Sequence, residues 1–324
     1  MTAGETTISK FPQQFSWEPV VEQGEKLSTY KQIVVCGVGG SQLGPMLIKS
    51  YGSHPELVLH RDYSLPEISE ETRKETLVVL SSYSGTTEET LDSGREAVAI
   101  GLPAAAISTG GELIPFARQH GLPHIVIPDT GLQPRLATGF SMLAIARIIG
   151  DHDLVKRIQA AGGAIEVDST REEGLRLAET LYGRVPLIYT SRRNEAIGYI
   201  WKIKINETSK IPAFANMIPE LCHNEINGLD LVETTRSLSG SMHVVMLEDE
   251  SDEPRNRKRM QVASDIFKER GIPVSHVALQ GEGFAKALNS SVMADWVSYA
   301  LAAHYGVPDE ATPLITEFKK RIAS

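Results

Sequence analysis

Cysteine is scarce in this chain: its 324 residues hold two, Cys36 and Cys222. Two thiols so far apart make no disulfide framework, so a reducing cytoplasm is the expected setting. Long apolar runs are missing as well. No stretch approaches the roughly 18 residues that a membrane span needs, and the opening residues 1–7 lack the basic-then-apolar pattern of a signal peptide. Positive charge is in deficit, with 32 Lys and Arg against 41 Asp and Glu and a formal net charge of −9. Such a field repels nucleic-acid phosphates and anionic membranes, so neither is an expected partner. A small anionic ligand remains admissible where backbone amides, hydroxyls and a few placed cations make its site locally favourable. No internal repeat is visible, and nothing resembles a helix-turn-helix appendage.

What is present is an ordinary globular balance, 41% apolar and 23% charged, in a chain long enough for two domains. Short apolar runs read as buried strands at 32–37, 57–60, 76–81, 104–108 and 124–127. Helical patterns follow at 43–50 and 87–100, and Pro134 begins a long apolar helix to Gly150. Residues 1–30 form a polar lead-in, and 151–182 look helical and charged. A second half restarts with strands at 185–190, 243–247 and 274–279 and a helix over 194–204. Strands alternating with helices predict the α/β class, with two doubly wound domains, each a mainly parallel sheet flanked by helices. The expected division is 1–150, a helical connection over 151–183, and 184–324.

The loop from Gly37 to Gly44 lies between a strand and a helix, where a dinucleotide fingerprint would stand. Gln42 occupies the position of its third glycine. Asp62 lies roughly where a ribose-binding acid would, so an NAD(P)-dependent oxidoreductase is one reading and a turn without a ligand another. The glycines in either case let backbone approach an anion or sugar closely at a helix start. A second loop, residues 81–90, reads Ser-Ser-Tyr-Ser-Gly-Thr-Thr-Glu-Glu-Thr. Hydroxyls and amides at the positive end of a helix suit a phosphate dianion without a lysine. Thr86 with Glu89 spells a capping box, which leaves Ser82, Ser84 and Thr87 unexplained.

On these residues the chain resembles the sugar isomerase (SIS) family, whose phosphate loop has the form Ser-x-Ser-Gly-x-Thr. The resemblance implies substrate binding by Gly40, Ser41, Ser82, Ser84 and Thr87. Farther on, residues 206–210 (Asn-Glu-Thr-Ser-Lys) and 219–225 (Pro-Glu-Leu-Cys-His-Asn-Glu) are similar to one branch, the bifunctional phosphoglucose/phosphomannose isomerases. The likeness runs through five motifs from about residue 31 to the C-terminus. It implies interconversion of fructose, glucose and mannose 6-phosphates, with Glu207 as the base that moves a proton between carbons 1 and 2. It further implies ring opening by His223, charge compensation by Arg135, and two C-terminal contributors: Thr312, which admits both epimers, and Lys319. Histidine titrates near neutral pH and suits acid–base work in both directions; a fixed cation offsets an enediolate. The resemblance also implies a homodimer, with His223 reaching the neighbouring subunit's site, and no metal or cofactor.

Several nearby residues take plainer readings. His223 with Glu220 and Glu225 does not spell the zinc-binding His-Glu-x-x-His. Cys222 is adjacent to His223 in sequence and neighbours seldom face each other, so a thiol nucleophile is discounted. Glu220, Asn224 and Glu225 read as structural. Thr312 before Pro313 also reads as a helix cap, and the 319–321 basic run as its C-terminal complement. The charged stretch 248–259 reads as a solvated helix with acids at its start. Two departures from the family pattern, Gln42 for a glycine and Thr86 for an asparagine, leave the sugar preference open. A phosphosugar sensor without turnover is the competing reading.

Overall fold

The computed structural model describes residues 3–52 and 56–322. The chain divides into two compact units, Lys10–Ile165 and a second made of Met1–Ser9 with Glu166–Ser324. The first holds strands β1 (Gln32–Cys36), β2 (Glu56–His60), β3 (Thr76–Ser81), β4 (Ala104–Ser108) and β5 (His124–Val126). All pair in parallel, in the order β2-β1-β3-β4-β5. Every residue of β3 is buried, which is why its sequence runs apolar without alternation. Each leucine or valine so buried contributes about 1.5–3 kcal/mol. On one face Val34, Cys36, Val78 and Leu80 pack with Leu91 and Ala97 of helix Glu88–Ala99.

The second unit holds β6 (Val185–Ser191), β7 (Phe214–Ile218), β8 (Met242–Glu248) and β9 (Val274–Ala278), parallel in the order β7-β6-β8-β9. The long helix Gly283–Tyr305 packs on helices Arg171–Leu181 and Glu195–Lys204. No helix among the described residues is long and apolar enough to cross a membrane. In both units the order reverses between the first strand and the third. The loops leaving those two strands therefore flank a crevice at the carboxyl edge, where sheets of this type bind ligands.

The α/β class and the parallel sheets match the sequence reading. Two details differ. Strand β7 was not anticipated: at the sheet edge it buries only Ile218 fully, so its sequence carries no strand alternation. Pro134 does not open the long helix. It opens a short 3-10 turn, Pro134–Leu136, and the α-helix starts at Thr138. Ala137, with φ −100° and ψ 24°, breaks the run between them.

Candidate active site

In the first unit the glycine loop leaves β1 as a 3-10 turn, Gly39–Gln42. The Gln42 side chain is fully buried and its amide points at the carbonyls of Val35 at 3.0 Å, Gly37 at 2.8 Å and His60 at 3.1 Å. Where a dinucleotide fingerprint needs glycine, this loop has a side chain tying it to β1 and β2. The Ser41 hydroxyl accepts the Tyr83 amide at 3.0 Å, so the first loop braces the second.

Ser82 is itself completely buried. Its hydroxyl lies 2.8 Å from that of Thr87 and accepts the Gly85 amide at 3.1 Å. Ser84 is exposed and pairs with Thr86 at 3.1 Å. Gly85 has φ +72°, and a Cβ there would stand 2.0 Å from the Gly110 carbonyl oxygen, so the loop requires glycine. The expected capping box at Thr86 does not form. Thr87 is the cap residue of helix Glu88–Ala99 and makes no side-chain cap bond, its hydroxyl being turned to Ser82. The first amides of this helix therefore have no side-chain acceptor from the cap residue.

Arg135 lies beyond β5 in the 3-10 turn, ahead of the helix rather than in its first turn, and is completely buried. Its turn packs on Gly40. Gly40, Ser41, Ser82, Ser84, Thr87 and Arg135 thus gather at the carboxyl edge of the first sheet.

The corresponding crevice of the second unit is filled by its own charges. Asp249 accepts Lys286 at 2.6 Å, the Ser251 hydroxyl at 2.6 Å and Asn194 at 3.0 Å. Asp252 accepts the Ser191 hydroxyl at 2.7 Å. All of these but Ser251 are buried, so the stretch read as solvated is internal at Asp249 and Asp252. Burial alone would raise the Asp249 carboxyl, but bonds from Lys286, Ser251 and Asn194 outweigh it and hold it well below the usual carboxylate range. Burial pushes Asp252 up. A phosphate would meet buried carboxylates here.

Glu207 sits in a π turn, Ile205–Ser209, that continues helix Glu195–Lys204; such turns recur at functional positions. Its neighbours hold it there. Lys204 pairs with Asp295 at 2.5 Å, Asn206 accepts the Ala213 amide at 2.7 Å, and the Ser209 hydroxyl donates to the Ser298 carbonyl at 2.8 Å. Lys210 donates to the carbonyls of Glu207 at 2.8 Å and Thr208 at 3.1 Å. Glu207 lines a cavity of ≈ 320 Å³ with Asn206, Lys210, Ile211, Thr312 and Pro313. The structure thus brings Glu207 and Thr312 together. Sequence reasoning gave Asn206 and Lys210 no role, although both stand in the motif and a run of polar residues at a helix end was the available signal.

His223 is not brought to Glu207. It is exposed at the end of a 3-10 turn, Glu220–His223, that follows β7, whereas Glu207 precedes β7. Strand β7 runs between them in the chain, and His223 is not among the residues that line the Glu207 cavity. Lys319 is exposed on helix Pro313–Ile322. Glu225 accepts bonds from Tyr189 and Asn216, and Asn224 donates to Glu220, so these residues fix the His223 segment. Burial raises the Cys222 thiol and keeps it protonated.

Among the described residues a Ser–His–Glu line occurs, with Ser264 2.9 Å from His276 and His276 2.9 Å from Glu248. Ser264 is completely buried, so no acyl donor reaches it and the line is structural.

Parallel sheets with a hydroxyl loop at the switch point define the chain as a phosphosugar-type SIS protein, and residues 170–322 match the family described as "Bacterial phospho-glucose isomerase C-terminal SIS domain". A bifunctional phosphoglucose/phosphomannose isomerase of Aquifex aeolicus is 32% identical over 97% of both chains. Another from Caldicellulosiruptor bescii is 33% identical over 89% of this chain and 88% of its own. The chain belongs to the bifunctional phosphoglucose/phosphomannose isomerase family. A solved hypothetical protein of Thermus thermophilus shares the fold, with a TM-score of 0.70 at 16% identity over 99% of this chain and 91% of its own.

Proposed function

We propose that this protein is an aldose–ketose isomerase that interconverts fructose 6-phosphate with glucose 6-phosphate and mannose 6-phosphate. The observation that carries the reading is Glu207, held on a braced π turn and lining a cavity with Thr312. Starting from fructose 6-phosphate, its carboxylate removes a proton from carbon 1 to give a cis-enediol. The carboxyl so formed delivers a proton, partly exchanged with solvent, to carbon 2, while the proton on the carbon 1 oxygen passes to the carbon 2 oxygen, so the base is regenerated and no electrons leave the sugar. General-base catalysis of this kind contributes about 10²–10⁴-fold. His223 opens the ring by moving a proton between the ring oxygen and the hydroxyl. Arg135 and Lys319 offset the enediolate charge, and Thr312 tolerates both configurations at carbon 2.

The phosphate is assigned to Ser84, Thr87 and the start of helix Glu88–Ala99, with Ser82 bracing Thr87 and Gly40 and Ser41 giving close backbone approach. A homodimer is part of the proposal. The placement of Glu207 and His223 at opposite ends of β7 supports a site that takes its histidine from a second copy. Free thiols at Cys36 and Cys222 support a cytoplasmic setting.

Incubation with fructose 6-phosphate in heavy water, followed by proton NMR, tests the reaction. Both aldose phosphates should form, with deuterium at carbon 2, and Glu207→Gln should abolish turnover while still binding sugar phosphate. Binding without turnover by the unaltered chain would indicate a sensor. Mixing inactive Glu207→Gln with inactive His223→Ala tests the shared site: activity returns only when one chain supplies the base and the other the histidine.

A further inference from the structure

Lys210 occupies a backbone conformation that suits it poorly. Its φ is +57°, in the left-handed region that glycine or asparagine adopts readily. It terminates the π turn that carries Glu207, where carbonyls have run out of intrahelical donors. The ammonium turns back to supply them, bonding the carbonyl oxygens of Glu207 and Thr208. The same side chain lines the cavity beside Glu207. Asn206 and Ser209 secure the turn to Ala213 and Ser298. Lys210 differs from them in bonding the peptide of Glu207 itself.

We propose that Lys210 is a positioning residue for Glu207, fixing the direction of its carboxylate through the peptide carbonyls and placing a cation in the same cavity. The inference rests on the isomerase reading. Proton abstraction depends on alignment, and a shift of about 1 Å costs on the order of 10²-fold.

Lys210→Asn and Lys210→Gly both suit a positive φ, so they remove the ammonium without straining the backbone. In each, kcat on fructose 6-phosphate should fall about ten- to a hundredfold, with KM changed far less. The melting temperature should hold or rise. Lys210→Arg should recover much of kcat. An Asn or Gly variant with wild-type kcat would overturn the role. So would a loss that tracks a lowered melting temperature and is not recovered by arginine. Wild-type protein that leaves fructose 6-phosphate unchanged would instead sink the isomerase reading, and the lysine's role with it.

Discussion

A Cβ built on Gly40 stands 2.7 Å from the backbone nitrogen of Arg135. The two loops touch main chain to main chain, so any side chain at 40 must displace the turn that carries the buried guanidinium. Gly40→Ala should therefore cost about 1–3 kcal/mol of stability, the usual range for overpacking. Turnover should fall by more than the unfolded fraction explains, because Arg135 moves. Denaturant titration alongside the isomerase assay separates the two effects. Unchanged stability would mean that the loop yields without cost.

Lys204 and Asp295 form a fully buried ion pair at 2.5 Å, with Lys204 also bonded to the Ser291 carbonyl at 3.2 Å. Removing one partner strands a charge. Lys204→Met should destabilise by about 3–5 kcal/mol. The double variant Lys204→Met with Asp295→Leu should recover much of that loss, since two apolar groups leave nothing unpaired. Urea midpoints of the three chains check both statements. A double variant no better than the single would show that packing rather than charge dominates.

His243 is buried, 2.8 Å from the Ser275 hydroxyl. Burial first, and the Arg184 charge second, pull its pKa from the usual 6.5 to about 4. The folded chain therefore refuses a proton that the unfolded chain accepts between those values. Stability from this residue is complete above pH 6.5 and is lost as pH falls toward 4. His243→Gln should flatten the melting temperature against pH in that window and leave it unaltered in slope above. An equally steep acid decline in the variant would assign the loss to carboxylates instead.

The legible parts of the sequence were those where burial imposes a pattern. Strand β3 announces itself because both faces are covered. Strand β7 does not, since a half-exposed edge strand needs no apolar alternation. The motif around Glu207 was visible as residue types, but the π turn was not: its geometry comes from anchors at Ser298 and Asp295, some 90 positions away. The acids at 249 and 252 looked like solvated helix-start charges because Lys286, their cation, lies 37 residues from Asp249. The separation of Glu207 from His223 likewise followed only once β7 was known to run between them.

The two crevices also explain why no repeat shows in a chain built from two sheets with the same winding. One is lined by glycines and hydroxyls, which suit the anion proposed to arrive from solution. The other holds an aspartate paired with a lysine and so carries its anion covalently. Two sheets wound alike but serving those opposite demands share no loop chemistry, so their likeness is legible in strand order and not in residue types.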